Sequence, residues 1–195
     1  MPETYAGPLR SEPLALELHN TLYASGGQAL DGLASEASSA AWLNALRRRL
    51  PSGGHGRGPT QTELIRLRGA VREALHAVLD GQAPTRASLE IINRASADAQ
   101  RSPIARWRRG VPPVADVDLH GASRAQVVLG AFAVDAIDLL TGPRRRHLRA
   151  CGAPGCVLLF LKGHPRREWC SAGCGNRARQ ARHYARTRGR VPRRE

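Results

Sequence analysis

The stretch "CGAPGCVLLFLKGHPRREWCSAGCGNR", residues 151–177, holds all four cysteines of the chain. They fall into two pairs, Cys151 with Cys156 and Cys170 with Cys174, separated by thirteen residues. Four residues lie inside the first pair and three inside the second. Two local cysteine knuckles joined by a spacer of this kind are how a closed tetrahedral zinc site is assembled, each knuckle bending back to present two thiolates. A redox dithiol more often uses a two-residue gap, and four thiolates close the coordination shell against a catalytic water. The spacing therefore predicts one structural zinc held by Cys151, Cys156, Cys170 and Cys174.

Between the pairs, "VLLFLKGHPRREWC" reads as strand, turn and strand, and after Cys174 the sequence turns helical. Knuckle, β-hairpin and helix, with the last ligands at the helix start, is the arrangement of a treble-clef-like finger. So small a module cannot bury much core and needs the metal to fold. Replacing one ligand is expected to unfold the finger and spare the rest. Arg149, Arg166, Arg167 and Arg177 lie near enough in sequence to offset the negative charge of a zinc tetrathiolate.

Outward from this stretch, charge divides the chain. Residues 143–195 carry 15 Lys+Arg against 2 acids, a net of +13; residues 1–142 carry the remaining 15 basic and 14 acidic residues, a net of +1. Such asymmetry points to a polyanionic partner for the C-terminal part. In "CGNRARQARHYARTR" Ala178, Ala181 and Ala185 mark one helix face, and Arg179, Arg182 and Arg186 recur beside His183 on another. Arg188, Arg190, Arg193 and Arg194 extend the charge, and Arg144, Arg145 and Arg146 precede the first knuckle. An α-helix fits the major groove, and arginine bonds phosphates and guanine edges bidentately. Candidate nucleic-acid contacts are Arg177, Arg179, Arg182, His183, Arg186 and Arg188, joined by Lys162, Arg166 and Arg167 from the preceding turn. Duplex DNA is the favoured partner and RNA the alternative. No ladder of aromatics for single strands is present.

The larger part reads as mainly helical. Leu14, Leu18 and Leu22 share a helix face, as do Trp42, Leu43, Leu46 and Leu50. Thr60 with Glu63 forms a capping box opening a helix through Leu64, Leu67, Val71, Leu75 and Val78 to a stop near Gly81. A further helix is predicted from Thr85 to Ala97 with Leu89 and Ile92 buried. "WRRGVPPVADVDLHG" alternates Ala115, Val117 and Leu119 with Asp116, Asp118 and His120, the pattern of a strand or small β-hairpin with a wet acidic side. Ser123 and Gln126 cap a last helix carrying Val127, Val128, Ala131, Phe132 and Leu139. The predicted organisation is a helical domain over 1–142, which senses a ligand or dimerises, and a basic finger over 143–195.

"CGNR" at 174–177, preceded by "WCSAGC" and the upstream pair, resembles the CGNR zinc finger. "LELHNTLYASGGQALDGLASEASSAAWL" (16–43) and "DLLTGPRRRHLRAC" (138–151) resemble the ABATE domain that accompanies it. The resemblance implies a bacterial stress-induced transcription regulator. It places the zinc ligands at the same four cysteines and DNA contacts at Arg177 and the basic helix. The turn "LKGHPRREWC" departs from the family pattern at Glu168.

His19 and Asn20, among leucines, are candidates for gripping a small-molecule effector or for satisfying a buried helix contact. Nothing resembles a phosphate loop, nucleophile elbow or zinc-hydrolase motif, so an enzyme is not expected. "MPETYAGPLRSEPLALEL" lacks the plan of a secretory signal, and "VVLGAFAVDAIDLL" is too short and too acidic to span a membrane. The expected location is the cytoplasm, on the nucleoid. An RNA- or ribosome-associated protein and a protein–protein interaction module remain the rival classes.

Overall fold

The computed structural model describes residues 5–188; Arg190, Arg193 and Arg194 lie outside the described residues. The described residues are mostly helical, with three two-stranded antiparallel hairpins among them. In order it forms α1 (Leu14–His19), β1 (Leu22–Ser25), β2 (Gln28–Asp31), α2 (Glu36–Ala45), α3 (Gln61–Leu79), α4 (Arg86–Asp98), β3 (Ser102–Arg106) and β4 (Val114–Asp118). Next come α5 (Arg124–Thr141), a 3-10 turn (Pro143–His147), β5 (Leu148–Ala150), β6 (Leu159–Leu161) and α6 (Ala172–Arg188).

Local signals set the long helices. Thr60 accepts from the Glu63 amide while the Glu63 side chain accepts from the Thr60 amide, and Ser123 with Gln126 does the same for α5. Each box satisfies orphan N–H groups of a first turn. Helix α3 ends before Gly81, whose φ of 70° suits a residue without a Cβ. Leu64, Leu67, Val71 and Leu75 of α3 meet Trp42 and Leu46 from the α2 region, Ile92 of α4, and Val128, Phe132 and Leu139 of α5 in one core. Phe132 stacks on Trp42 at 5.3 Å between centroids. Helices α4 and α5 approach closely at Gly130, where a Cβ would fall 2.2 Å from that of Ala99.

Two local expectations are corrected. The first helix stops at His19; Leu22 instead opens β1, which pairs with β2 across the Gly26–Gly27 turn. Asp31 of that hairpin is pinned by Arg68 of α3, whose Nη2 donates to Oδ2 at 2.8 Å while Nη1 reaches Thr21 Oγ1 at 3.0 Å. Leu89, placed in the core by its spacing, is 36% exposed because α4 turns Ile92 inward instead. The acidic side of the 115–120 segment is the wet side of a strand, as its alternation implies: Asp116 pairs with Arg106, and Asp118 accepts from the His120 amide at 2.8 Å.

The C-terminal hairpin also differs. The partner of β6 is β5, from ahead of Cys151, with Leu148 opposite Leu161 and Ala150 opposite Leu159; Arg166–Trp169 forms no strand. The first knuckle thus sits at the turn of the hairpin. Strand alternation then gives β6 two buried faces. Leu159 and Leu161 join Leu148 in the helical core, while Leu158 and Phe160 pack around the cysteines. The finger therefore completes the helical core, which alters the expectation that it could unfold alone.

Candidate metal centre and basic helix

The four thiols converge at the turn of the β5–β6 hairpin. Cys151 and Cys156 flank the tight knuckle closed by the Cys156 amide on Ala153 O at 3.0 Å. Cys170 precedes α6, and Cys174 lies in its first turn, where its amide bonds Ser171 Oγ at 3.2 Å. All four sulfurs lie within 4.8 Å of one another. Cys170 and Cys174 are 3.4 Å apart, and Cys156 is 3.8 Å from each of them. A tetrahedron with metal–sulfur bonds of about 2.3 Å has edges of about 3.8 Å, so the cage matches zinc.

Electrostatics point the same way. Hydrogen bonding from Cys170 pulls the Cys156 thiol down to about 5, whereas that contact and burial push Cys170 up, and burial pushes Cys151 up. Four thiolates cannot share this space without a cation. The donor set and spacing support one structural zinc ion. Arg177 Nη2 donates to Cys174 Sγ at 3.4 Å, and the Cys170 amide donates to Cys151 Sγ at 3.4 Å, both stabilising anionic sulfur. Trp169 wedges between Gly152 and Gly175; a Cβ on Gly175 would sit 2.9 Å from the indole, so the glycine of C-G-N-R is a packing requirement.

The basic residues separate into two groups. Arg167 serves the protein: its guanidinium stacks 4.7 Å over Phe160, pairs with Glu12 and donates to Leu161 O at 2.9 Å. Lys162 is half-buried, its amide on His147 O, while Arg166 is exposed. Of the three alanines that mark one face of α6, Ala178 is buried, Ala181 is half-buried and Ala185 is exposed, so the helix rests on the knuckle at its first turns and then leaves it. Arg177, Arg179, Arg182, His183 and Arg186 are all exposed, and Arg188 ends the helix. Arg179 bonds Asn176, and Arg182 lies 5.6 Å over Trp169, which holds both side chains near the metal end. None of Arg177, Arg179, Arg182 and Arg186 pairs with a carboxylate among the described residues, and residues 169–194 contain no acid.

His19 and Asn20 have no exposed surface. Asn20 reads the β6 backbone on both sides: its Nδ2 donates to Leu159 O and its Oδ1 accepts from Leu159 N, both at 3.0 Å. His19 spends Nδ1 on Asn20 Oδ1 at 3.0 Å and Nε2 on His76 at 3.2 Å, with Arg72 donating to its carbonyl at 3.0 Å. The effector-gripping reading gives way to the structural one. Glu12, which no sequence pattern marks, is its counterpart: its carboxylate accepts from the Leu161 amide at 3.0 Å and from Arg167. Space for a ligand lies elsewhere, in an open groove of about 470 Å³ lined by Glu63, Arg66, Ile91, Arg94, Asp98 and Leu129.

Burial, reinforced by Arg72, pushes His19 down to about 3 from its ordinary 6.5. The folded protein keeps this ring neutral, so on acidification the unfolded chain binds the proton first. Stability is expected to be fully present above pH 6.5 and to fall toward pH 3 by up to about 1.4 kcal/mol per pH unit. His76 is pushed down too, again chiefly by burial, and adds in the same direction. An NMR titration checks this: the His19 ring should stay neutral well below pH 6.5, and protonation at that ordinary value would refute it.

A helical body closed by a four-thiol node that projects an acid-free basic helix defines a zinc-binding protein built around a finger. Residues 147–187 match the CGNR zinc finger, and residues 12–143 match the ABATE family, described as "Putative stress-induced transcription regulator". The chain belongs to the ABATE family and ends in a CGNR zinc finger. No curated protein matches it. Neither family is an enzyme class, and among the described residues no helix is long and apolar enough to cross a membrane.

Proposed function

We propose that the chain is a zinc-dependent, non-enzymatic transcription regulator that acts in the cytoplasm on nucleoid DNA. Cys151, Cys156, Cys170 and Cys174 hold the zinc, and α6 lays Arg179, His183, Arg186 and Arg188 on duplex DNA. Arg182 and Arg166 flank that contact; Arg177 contributes mainly by holding Cys174. The helical domain, spanning 1–142, senses an effector or dimerises. The observation that carries this reading is the basic helix itself: its base is fixed by the metal node, its outer turns lack packing partners, and its arginines have no acidic neighbours on the helix. A metal-fixed helix presents its cations in one geometry, as groove binding requires. A disordered basic tail would not.

Replacing Arg179, Arg182 and Arg186 together with Ala should weaken duplex binding by the zinc-loaded protein and lower the salt slope by roughly one for each phosphate left without its arginine. Unchanged affinity and slope would sink the assignment. Selection from a random duplex pool at two salt concentrations, against a structured RNA competitor, separates the partner classes. Enrichment of a short motif that survives high salt means base readout. Equal competition by RNA favours the RNA-associated alternative.

A further inference from the structure

The β3–β4 hairpin is the part of the described structure that the finger and the core leave unexplained. Its strands pair with each other over five positions, from Ser102 opposite Asp118 to Arg106 opposite Val114. No helix or other strand packs extensively on either face. Ribbons of five-residue strands extend roughly 16 Å, so the 107–113 tip stands well clear of the body. That tip reads Trp-Arg-Arg-Gly-Val-Pro-Pro, with Gly110 at φ 82° and the Val111 amide bonded to Arg108 O at 3.1 Å. Trp107 is 77% exposed, the largest exposure among the large apolar side chains of the described residues, beside Val111 at 54% and Val114 at 56%.

An unburied tryptophan on an isolated ribbon costs solubility and gains nothing from the fold. Its neighbours indicate what covers it. Arg101, Arg106, Arg108 and Arg109 lie within nine residues, and no acid occurs from residue 99 to 115. Only Arg106 has a carboxylate partner, Asp116; Arg108 and Arg109 have none among the described residues. Pairing also sorts the faces. Pro103, Ala105, Ala115 and Val117 share one side, small and uncharged, leading to Trp107, while Arg106 projects from the other. A thin ribbon with a flat apolar side, a basic tip and an apolar wedge has the dimensions and chemistry of an element that enters a DNA groove.

We propose that the β3–β4 hairpin is a second DNA-binding arm, with Arg108 and Arg109 on backbone phosphates and Trp107 against the sugar and base edges of the groove. The proposal deepens the DNA-regulator reading and rests on it. The arm springs from the start of α5 and the finger follows its end. An 18-residue helix spans about 27 Å, so the two elements address separate stretches of the same duplex. The arm thereby extends the site beyond what one finger covers. Positive charge suits either polyanion, and the apolar composition decides for nucleic acid over an anionic membrane surface: that side is formed of alanine, proline and valine, with a single aromatic to anchor in a bilayer interface.

The test uses the full-length, zinc-loaded protein and a random-sequence duplex long enough for both elements. The double replacement Arg108→Ala/Arg109→Ala should lower affinity roughly tenfold at physiological salt and reduce the salt slope by about two. Trp107→Phe should remove most of the DNA-induced quenching of tryptophan emission that the wild type shows, the remainder coming from Trp169. Trp107, Arg108 and Arg109 are exposed at the tip, so zinc content and melting temperature should match the wild type in both variants. Wild-type binding with unchanged slope and quenching in the variants overturns the arm and leaves the finger standing. A wild type that binds no duplex overturns both. Two further results also overturn the arm: sedimentation showing that the variants lose a dimer, or vesicles of anionic lipid displacing the duplex in the wild type but not in the variants.

Discussion

Stripping the zinc with a strong chelator, or replacing Cys170 with Ser, is expected to unfold α6 and the knuckle and to lower the melting temperature of the helical part as well. Around the metal, the buried set consists of Cys151, Ala153, Leu158, Phe160, Cys170, Cys174 and Ala178, with Trp169 partly buried beside them. Two large buried apolar side chains cannot order some forty residues, whereas structural zinc supplies an apparent 10–16 kcal/mol, roughly, at neutral pH. The second effect follows from the other face of the hairpin. Leu148 and Leu159 are each 1% exposed and sit in the helical core. Losing the hairpin uncovers both and the surface beneath them, at about 1.5–3 kcal/mol per side chain. For a chain of this size that corresponds to a drop on the order of 10 °C. Calorimetry with and without chelator, alongside circular dichroism, reads both effects. A zinc-free protein whose helical part melts at the holo temperature would refute the shared core, and a Cys170→Ser variant that keeps one tightly held zinc and a folded α6 would refute four-thiolate ligation.

The elements legible in the sequence are those fixed within one turn of chain. The Thr60–Glu63 and Ser123–Gln126 boxes mark α3 and α5 because the bonds that start a helix are made by neighbours. The zinc cage is legible for the same reason: each knuckle is local, and two close cysteine pairs joined by a short spacer have few other uses. The errors come from strand pairing that reaches beyond one helical turn. Leu14, Leu18 and Leu22 keep a helical spacing across a boundary that tertiary contacts impose, since the Thr21 carbonyl and the β1 register tie Leu22 to the β1–β2 hairpin. Strand β5 is hidden among "HLRA" because a three-residue strand carries no periodicity of its own. Arginine is the hardest residue to read. Arg167, Arg177 and Arg179 look alike in sequence, yet one clamps Glu12, one serves a sulfur and one faces solvent. Only the position of an acid 155 residues away distinguishes the first of them.

Replacing Asn20 with Ala is expected to destabilise the whole chain and to loosen the zinc, although Asn20 touches neither solvent nor sulfur. Its amide satisfies the N–H and the C=O of Leu159, two backbone groups buried between the helical core and the finger. No water-sized alternative is offered by a residue 0% exposed. Leaving both groups unpaired costs about 1–3 kcal/mol each, so the variant should lose roughly 2–6 kcal/mol in urea unfolding, as much as truncating a large core side chain. Asn20→Asp should be no rescue, because the oxygen that replaces Nδ2 would face the Leu159 carbonyl as a second acceptor. The metal enters through linkage. Strand β6 runs from the first knuckle into Asn20's grip, so a β6 free to leave the core shifts the cage toward its open form, and the variant should release zinc faster to a chromogenic chelator. Cys151 and Cys156 sit in the knuckle between β5 and β6, which makes their spacing dependent on that strand pair. An Asn20→Ala protein with wild-type urea midpoint would show that Leu159 finds other partners. One that is destabilised but holds zinc as tightly as the wild type would show that the core and the cage, though they share a strand, are energetically separate.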